Sequence, residues 1–279
     1  MSNSVRDNLT KEDIISEIKL SIGADIKKEY VYMLLEGSDD IKFWRGLISE
    51  KVIIFESFSG KNGIKEIIEE FFDTNPQVIG IRDKDYESTL IHNSIFYYDY
   101  CCMEMMLICS SEAFTSIYTE YYDGEIPVNE LKIRLLQQLK ALSHVRQLNE
   151  TNGWGIKING VSIGSAFNRE TNELIFDTIV NKLNEMNRNF FIDNQEKKQC
   201  VDNLLRTELT IEELLNITQG HDFLKLFSIY CLKEQGRSIS DINISASLRV
   251  AYRKSDFENS LLYTNLIDYE EKHKFKIVS

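Results

Sequence analysis

The 279-residue chain carries 32 basic and 44 acidic side chains, a formal net charge of −12, and 43% hydrophobic residues. That apolar share fills the core of one large or two small domains, and the acidic balance excludes a generally basic surface: a nucleic-acid partner has to meet a local basic patch. The opening Met1–Asp7 has no basic-then-apolar leader, and no apolar run nears the roughly 18 residues of a membrane span, so the chain reads as a cytoplasmic protein with no membrane association.

In chain order, Thr10-Lys-Glu-Asp13 has the form of a capping box, and Ile14, Ile15, Ile18 and Ile22 follow at helical spacing. Tyr30–Leu35 reads as a strand closed by Glu36-Gly37. Ser38 or Asp39 then caps a helix through about Ile48, buried through Ile41, Phe43, Trp44 and Leu47. A second strand is expected over Val52–Phe58, a helix over Ile64–Phe72, a third strand from Val78 and a fourth over Ser94–Tyr98. Alternating strands and helices predict an α/β fold whose parallel sheet is flanked by helices. Beyond a helix carrying Glu104, Met105 and Met106, helical periodicity dominates. The exceptions are a β-hairpin insert expected over Asn152–Gly160, an interruption at Gly220-His221-Asp222 and a turn at Gly236-Arg237-Ser238. The five cysteines, Cys101, Cys102, Cys109, Cys200 and Cys231, have neither zinc-site spacing nor the even count of a disulfide scaffold, so free and mostly buried thiols are expected.

Glu36, Asp83 and Asp85 each sit at the end of a strand-like run, where a parallel sheet presents its active site. If the third strand continues to Asp85, the two Asp side chains share a face while Arg82 and Lys84 point the other way. Hard oxygen donors on one face suit Mg²⁺, with Mn²⁺ as an alternative. The bland readings are a solvated turn for Asp83 and Asp85, a Glu36–Arg82 ion pair, a helix-dipole acid at Asp40, and a turn-ordering His221 followed by Asp222 as N-cap of a helix from Phe223.

The string Leu35-Glu36-Gly37-Ser38-Asp39-Asp40, with Asp83-x-Asp85 after the third strand, resembles the TOPRIM fold. It is most similar to the E-G-x-x-[ED] form of the overcoming-lysogenization-defect type of nuclease. Tyr98-Asp99-Tyr100 with Glu104, and the Gly220-His221-Asp222 segment, resemble those of TOPRIM nucleases that work with a separate ABC-type ATPase in bacterial anti-phage systems of the PARIS kind. The resemblance implies an N-terminal helical segment over 1–29, a catalytic core over 30–110 and a helical elaboration over 111–279. It further implies metal ligation by Glu36, Asp40, Asp83 and Asp85, and catalytic roles for Glu36, Asp83, Asp85, Glu104 and His221. In biological terms it implies an effector held and released by an ABC-type ATPase sensor, a homodimer when released, that cuts RNA, transfer RNA above all, to stop translation. The alternatives are a DNA-cleaving TOPRIM nuclease and a non-catalytic module that regulates an ATPase. Lys61, Lys65, Arg249, Arg253 and Lys254 are the basic residues expected to meet nucleic acid, and Lys84 or His221 the groups expected to neutralise a developing phosphorane. The chain contains no Walker A string, so the ATPase would be a separate chain.

Overall fold

The computed structural model describes residues 10–235 and 239–279, and the turn expected at Gly236-Arg237-Ser238 lies outside the described residues, as does the start of the chain before Thr10. The chain divides into two compact units, Met1–Asp99 with Arg253–Ser279, and Tyr100–Tyr252. Among the described residues no helix is long and apolar enough to cross a membrane.

The first unit is α/β. Helix α1 (Lys11–Ala24) opens on the expected capping box, in which the Thr10 side chain accepts from the Asp13 backbone and Asp13 bonds back to the cap. There follow β1 (Val31–Leu35), α2 (Ser38–Trp44), β2 (Val52–Glu56), α3 (Gly60–Phe71), β3 (Val78–Arg82) and β4 (Ile95–Tyr97). The four strands form one parallel sheet in the order β2-β1-β3-β4. From β1 the chain steps outward to β2 and then crosses back to β3 on the other side. The reversal of strand order therefore falls between β1 and β3, where open α/β sheets leave a crevice at their carboxyl ends.

Ile14, Ile15 and Ile18 of α1 and Ile64, Ile67 and Ile68 of α3 close one face of the sheet over Tyr32, Leu34, Phe55, Val78 and Ile95. Each such aliphatic side chain contributes about 1.5–3 kcal/mol by leaving water. Gly80 in β3 makes the approach possible, because a Cβ there would lie 2.3 Å from Ile64 and 2.9 Å from Ile68. On the other side, Phe96 of β4 meets Tyr269 of the helix Leu261–His273 edge-on, with ring centroids 5.4 Å apart.

Helix α2 departs from expectation at both ends. Gly37, with no side chain to bond, is its N-cap, and it ends at Trp44 rather than Ile48. The chain's last residues take the following backbone: Ile48 bridges Val278, the Ser49 amide donates to Ile277, and the Ser279 amide donates to Leu47. No local pattern announces a partner some 230 residues away.

The second unit is largely helical, with Phe114 of the helix Ser111–Tyr121 packed between Phe223 and Phe227 of the helix Gly220–Gln235. The expected hairpin is not at Asn152–Gly160. Ile156 and Ile158 are buried there as the alternation suggested, but side-chain amides replace a partner strand. Asn149 bonds both the N–H and the carbonyl of Ile156, and Asn187 does the same for Lys157. The hairpin lies further on, pairing Phe167–Asn168 with Glu173–Leu174. Gly220, His221 and Asp222 begin the helix instead of preceding it. Cys101, Cys102 and Cys231 are buried, and none of the five thiols is in a disulfide among the described residues.

Candidate functional site

Glu36 follows β1 and Asp83 follows β3, the two strands that flank the crevice. Leu35 pairs with Ile81, so Glu36 stands level with the end of β3, and its Oε1 accepts a hydrogen bond from the Asp83 backbone N–H at 2.6 Å. Burial pushes the Glu36 carboxyl up to about 7, and the negative charges of Asp40 and Asp85 push in the same direction. The Asp83 amide and the Arg82 guanidinium oppose the shift without cancelling it. Two of the expected carboxylates, Asp40 on α2 and Asp85 after β3, thus act on Glu36 at the end of β1.

The strand does not continue to Asp85. It stops at Arg82, and Asp85 takes a left-handed backbone, φ 49°, so Asp83 and Asp85 are not presented as alternate residues of one strand. The turn instead brings Asp85 into an ion pair with Lys61 at the start of α3. Arg82 is fully buried, lies over the Tyr97 ring at 5.6 Å and forms its ion pair with Glu87 at 2.6 Å. The guanidinium that Glu36 would have needed as a structural partner is therefore engaged elsewhere. Gly60, with φ 52°, turns the backbone into α3 beside Glu36, where an added Cβ would lie 3.5 Å from Glu36 Oε2.

Asp40 lies in the first turn of α2. Its Oδ1 accepts from the Tyr98 hydroxyl at 2.6 Å, and that hydroxyl accepts from Trp44 Nε1 at 2.9 Å. The neighbouring Asp39 pairs with Lys42 on the exposed side of the same helix.

The donor set is hard oxygen throughout, and a buried carboxyl raised by two neighbouring carboxylates is an environment that a divalent cation would relieve. In that chemistry the residues fit Mg²⁺. Their side chains are nonetheless bonded to protein groups, and among the described residues no three or more His, Cys, Asp or Glu side chains are gathered as a ready-made metal site.

Glu104 and His221 belong to the second unit. There Glu104 packs against Gly220, where a Cβ would come within 2.5 Å of it, so the two segments of the resemblance outside the sheet are neighbours. His221 is exposed and lines a cavity of about 460 Å³. Its Nε2 lies 3.1 Å from Asp222 Oδ1, and Arg146 forks onto both oxygens of Asp222 at 2.6 and 3.1 Å. Among the basic candidates Lys65 is exposed, Lys61 is on Asp85, Arg249 donates to Ser245, and Lys254 reaches the Ser279 carbonyl.

Gly60 and Arg146 have no functional signal in the sequence; Tyr98 and Lys61 stand out there only as part of the Tyr98-Asp99-Tyr100 segment and as a basic residue. All four acquire their places in these sites through partners 24 to 76 positions away in the chain. No protein-family model matches the chain, and no curated protein gives a significant match to it.

Proposed function

We propose that the protein is a Mg²⁺-dependent TOPRIM endonuclease, a toxin effector of anti-phage defence similar to AriB of the PARIS system, held and released by an AriA-like ABC-type ATPase. The reading is carried by Glu36: a carboxyl at the switch point of a parallel sheet, poised at about 7, with Asp40 and Asp85 raising it and the neighbouring Arg82 ion-paired to Glu87. A carboxyl near neutral pH exchanges its proton under working conditions, which suits a general base that accepts a proton from attacking water. Asp40, Asp83 and Asp85 with Glu36 would hold Mg²⁺ or Mn²⁺, which when bound supplies a Lewis acid on the scissile phosphate and an acidified water. Lys61, at the lip beside Asp85, sets a positive charge where a phosphodiester would approach an otherwise acidic mouth. The favoured substrate is RNA, transfer RNA first, and the released chain acts as a homodimer.

The Lys61–Asp85 pair supports one competing reading, a non-catalytic module that regulates its ATPase, because it neutralises one acid without any metal. Both readings are tested by incubating the full chain, alone and with an AriA-like ABC-type ATPase, with total RNA and with plasmid DNA in Mg²⁺, and sequencing the ends produced. Cut transfer RNA is the expected result. Nicked plasmid with intact RNA would move the substrate to DNA. Intact substrates together with a changed ATPase rate would establish the module.

A further inference from the structure

The segment Asn152-Gly-Trp-Gly-Ile-Lys157 stands out in the sequence and takes no part in the acid cluster. Gly153 and Gly155 both have left-handed backbone, φ 59° and 67°, and carry Trp154 between them. Ile156, Ile158 and Phe191 are the residues buried here, whereas Trp154 and Phe190 each keep part of their surface in solvent. The Trp154 and Phe190 rings lie 5.7 Å apart, and the Lys197 ammonium sits over both, 5.9 Å from the first and 4.5 Å from the second. Ahead of Phe190, Arg188 and Asn189 also have left-handed backbone, φ 51° and 60°. The Asn187 side-chain amide bonds the N–H and the carbonyl of Lys157 at 2.7 and 2.9 Å, which locks the two turns together. Lys157 and Arg188 are exposed on these turns, close in the chain to Trp154 and Phe190. Among the described residues none of Lys157, Arg188 and Lys197 is in an ion pair, whereas Lys182 and Lys198 of the flanking helices are tied to Glu185 and Asp202. The acids of the same stretches, Asp193 and Glu196, are exposed and leave the balance basic in a chain that is acidic as a whole.

We propose that these two turns form a platform for single-stranded RNA: a base stacks on Trp154 and Phe190, and Lys157, Arg188 and Lys197 take the phosphates on either side of it. The inference deepens the RNA reading above and rests on it, but not on the metal chemistry. Rings interleaved with uncompensated cations match a strand that brings a phosphate with every base. A duplex does not fit, because its bases are already stacked on one another. A base that stacks where Lys197 now lies leaves that ammonium for the adjoining phosphate. An acidic chain needs a local basic patch to hold nucleic acid, and this one puts the charge beside the stacking surface.

The test is titration of the full chain with a labelled single-stranded oligouridine RNA in chelator, so that binding is read by anisotropy without cleavage. Trp44 is fully buried, so RNA is expected to quench the emission of Trp154, and the quenching to vanish in Trp154→Phe. Trp154→Ala is expected to weaken binding by roughly 5–150-fold, with Trp154→Phe retaining most of the affinity. Lys157→Gln/Arg188→Gln/Lys197→Gln leaves the rings in place and is expected to weaken binding and to flatten the log–log dependence on salt by about 2, the share of three phosphate contacts. This variant carries the test where Trp154→Ala unfolds. RNA bound by the wild type with no quenching, or bound by the triple variant with wild-type affinity and salt dependence, overturns the inference alone. Tighter binding to single-stranded DNA of matching length overturns RNA as the occupant. A wild type that binds no RNA overturns the RNA reading, and the inference with it.

Discussion

Glu36 and Asp222 are both carboxylates largely withdrawn from solvent, one at the sheet's switch point and the other at the start of a helix in the second unit, and their environments drive them in opposite directions. Burial acts to raise both. At Asp222 a hydrogen bond from His221 and the charges of Arg146 and His221 reverse the effect, and the carboxyl is held below its ordinary value. At Glu36 the charges of Asp40 and Asp85 add to the effect, the Asp83 amide and Arg82 oppose it without cancelling it, and the carboxyl reaches about 7. A compensated buried acid is a structural device; an uncompensated one next to two more acids is a site that waits for a proton or a cation. The difference separates residues that look equally functional in the sequence, where His221-Asp222 is as conspicuous as Glu36-Gly37.

The comparison is broken most severely by activity. Glu36→Ala and Asp83→Ala are expected to reduce cleavage and cell toxicity to background in a protein that still folds, read by nuclease assay and calorimetry on the same preparation. Full cleavage by either folded variant would remove it from the site. The next effect is on stability and belongs to the other acid. Asp222→Ala or Arg146→Ala leaves a buried charge without its partner and is expected to lower stability by about 3–5 kcal/mol in urea unfolding, while the response to Mn²⁺ stays as in wild type.

The pH dependence sharpens the contrast. Glu36 moves from 4.5 to about 7 on folding, so the folded state prefers its protonated form. In chelator that preference adds stability fully present below pH 4.5 and lost as pH rises through 7, on the order of 3 kcal/mol. Unfolding midpoints at pH 5 and pH 8 should differ accordingly in wild type and far less in Glu36→Gln. Asp222 has the opposite sign: its contribution is present above the ordinary value of 3.8 and lost as pH falls through its lowered one. The smallest effect is that of Asp40→Asn on stability, about 0.3–1 kcal/mol as the loss of a helix-dipole acid, because the amide oxygen can still accept from Tyr98.

By itself the sequence determined the α/β alternation, the four strands and the acids at their ends, because these depend on periodicity and punctuation within a few residues. The capping box at Thr10 and the buried run of β1 were legible for that reason. The tertiary structure alone decided the strand order that sets Glu36 beside Asp83, the left-handed turn that sends Asp85 to Lys61, and the phenol that grips Asp40. It also decided that side-chain amides, not a second strand, would satisfy the segment after Asn152. Apart from the Asn149–Ile156 pair, seven residues apart, each of these is a choice of partner across a long stretch of chain, made by which hydrogen-bonding and charged groups burial brings within reach.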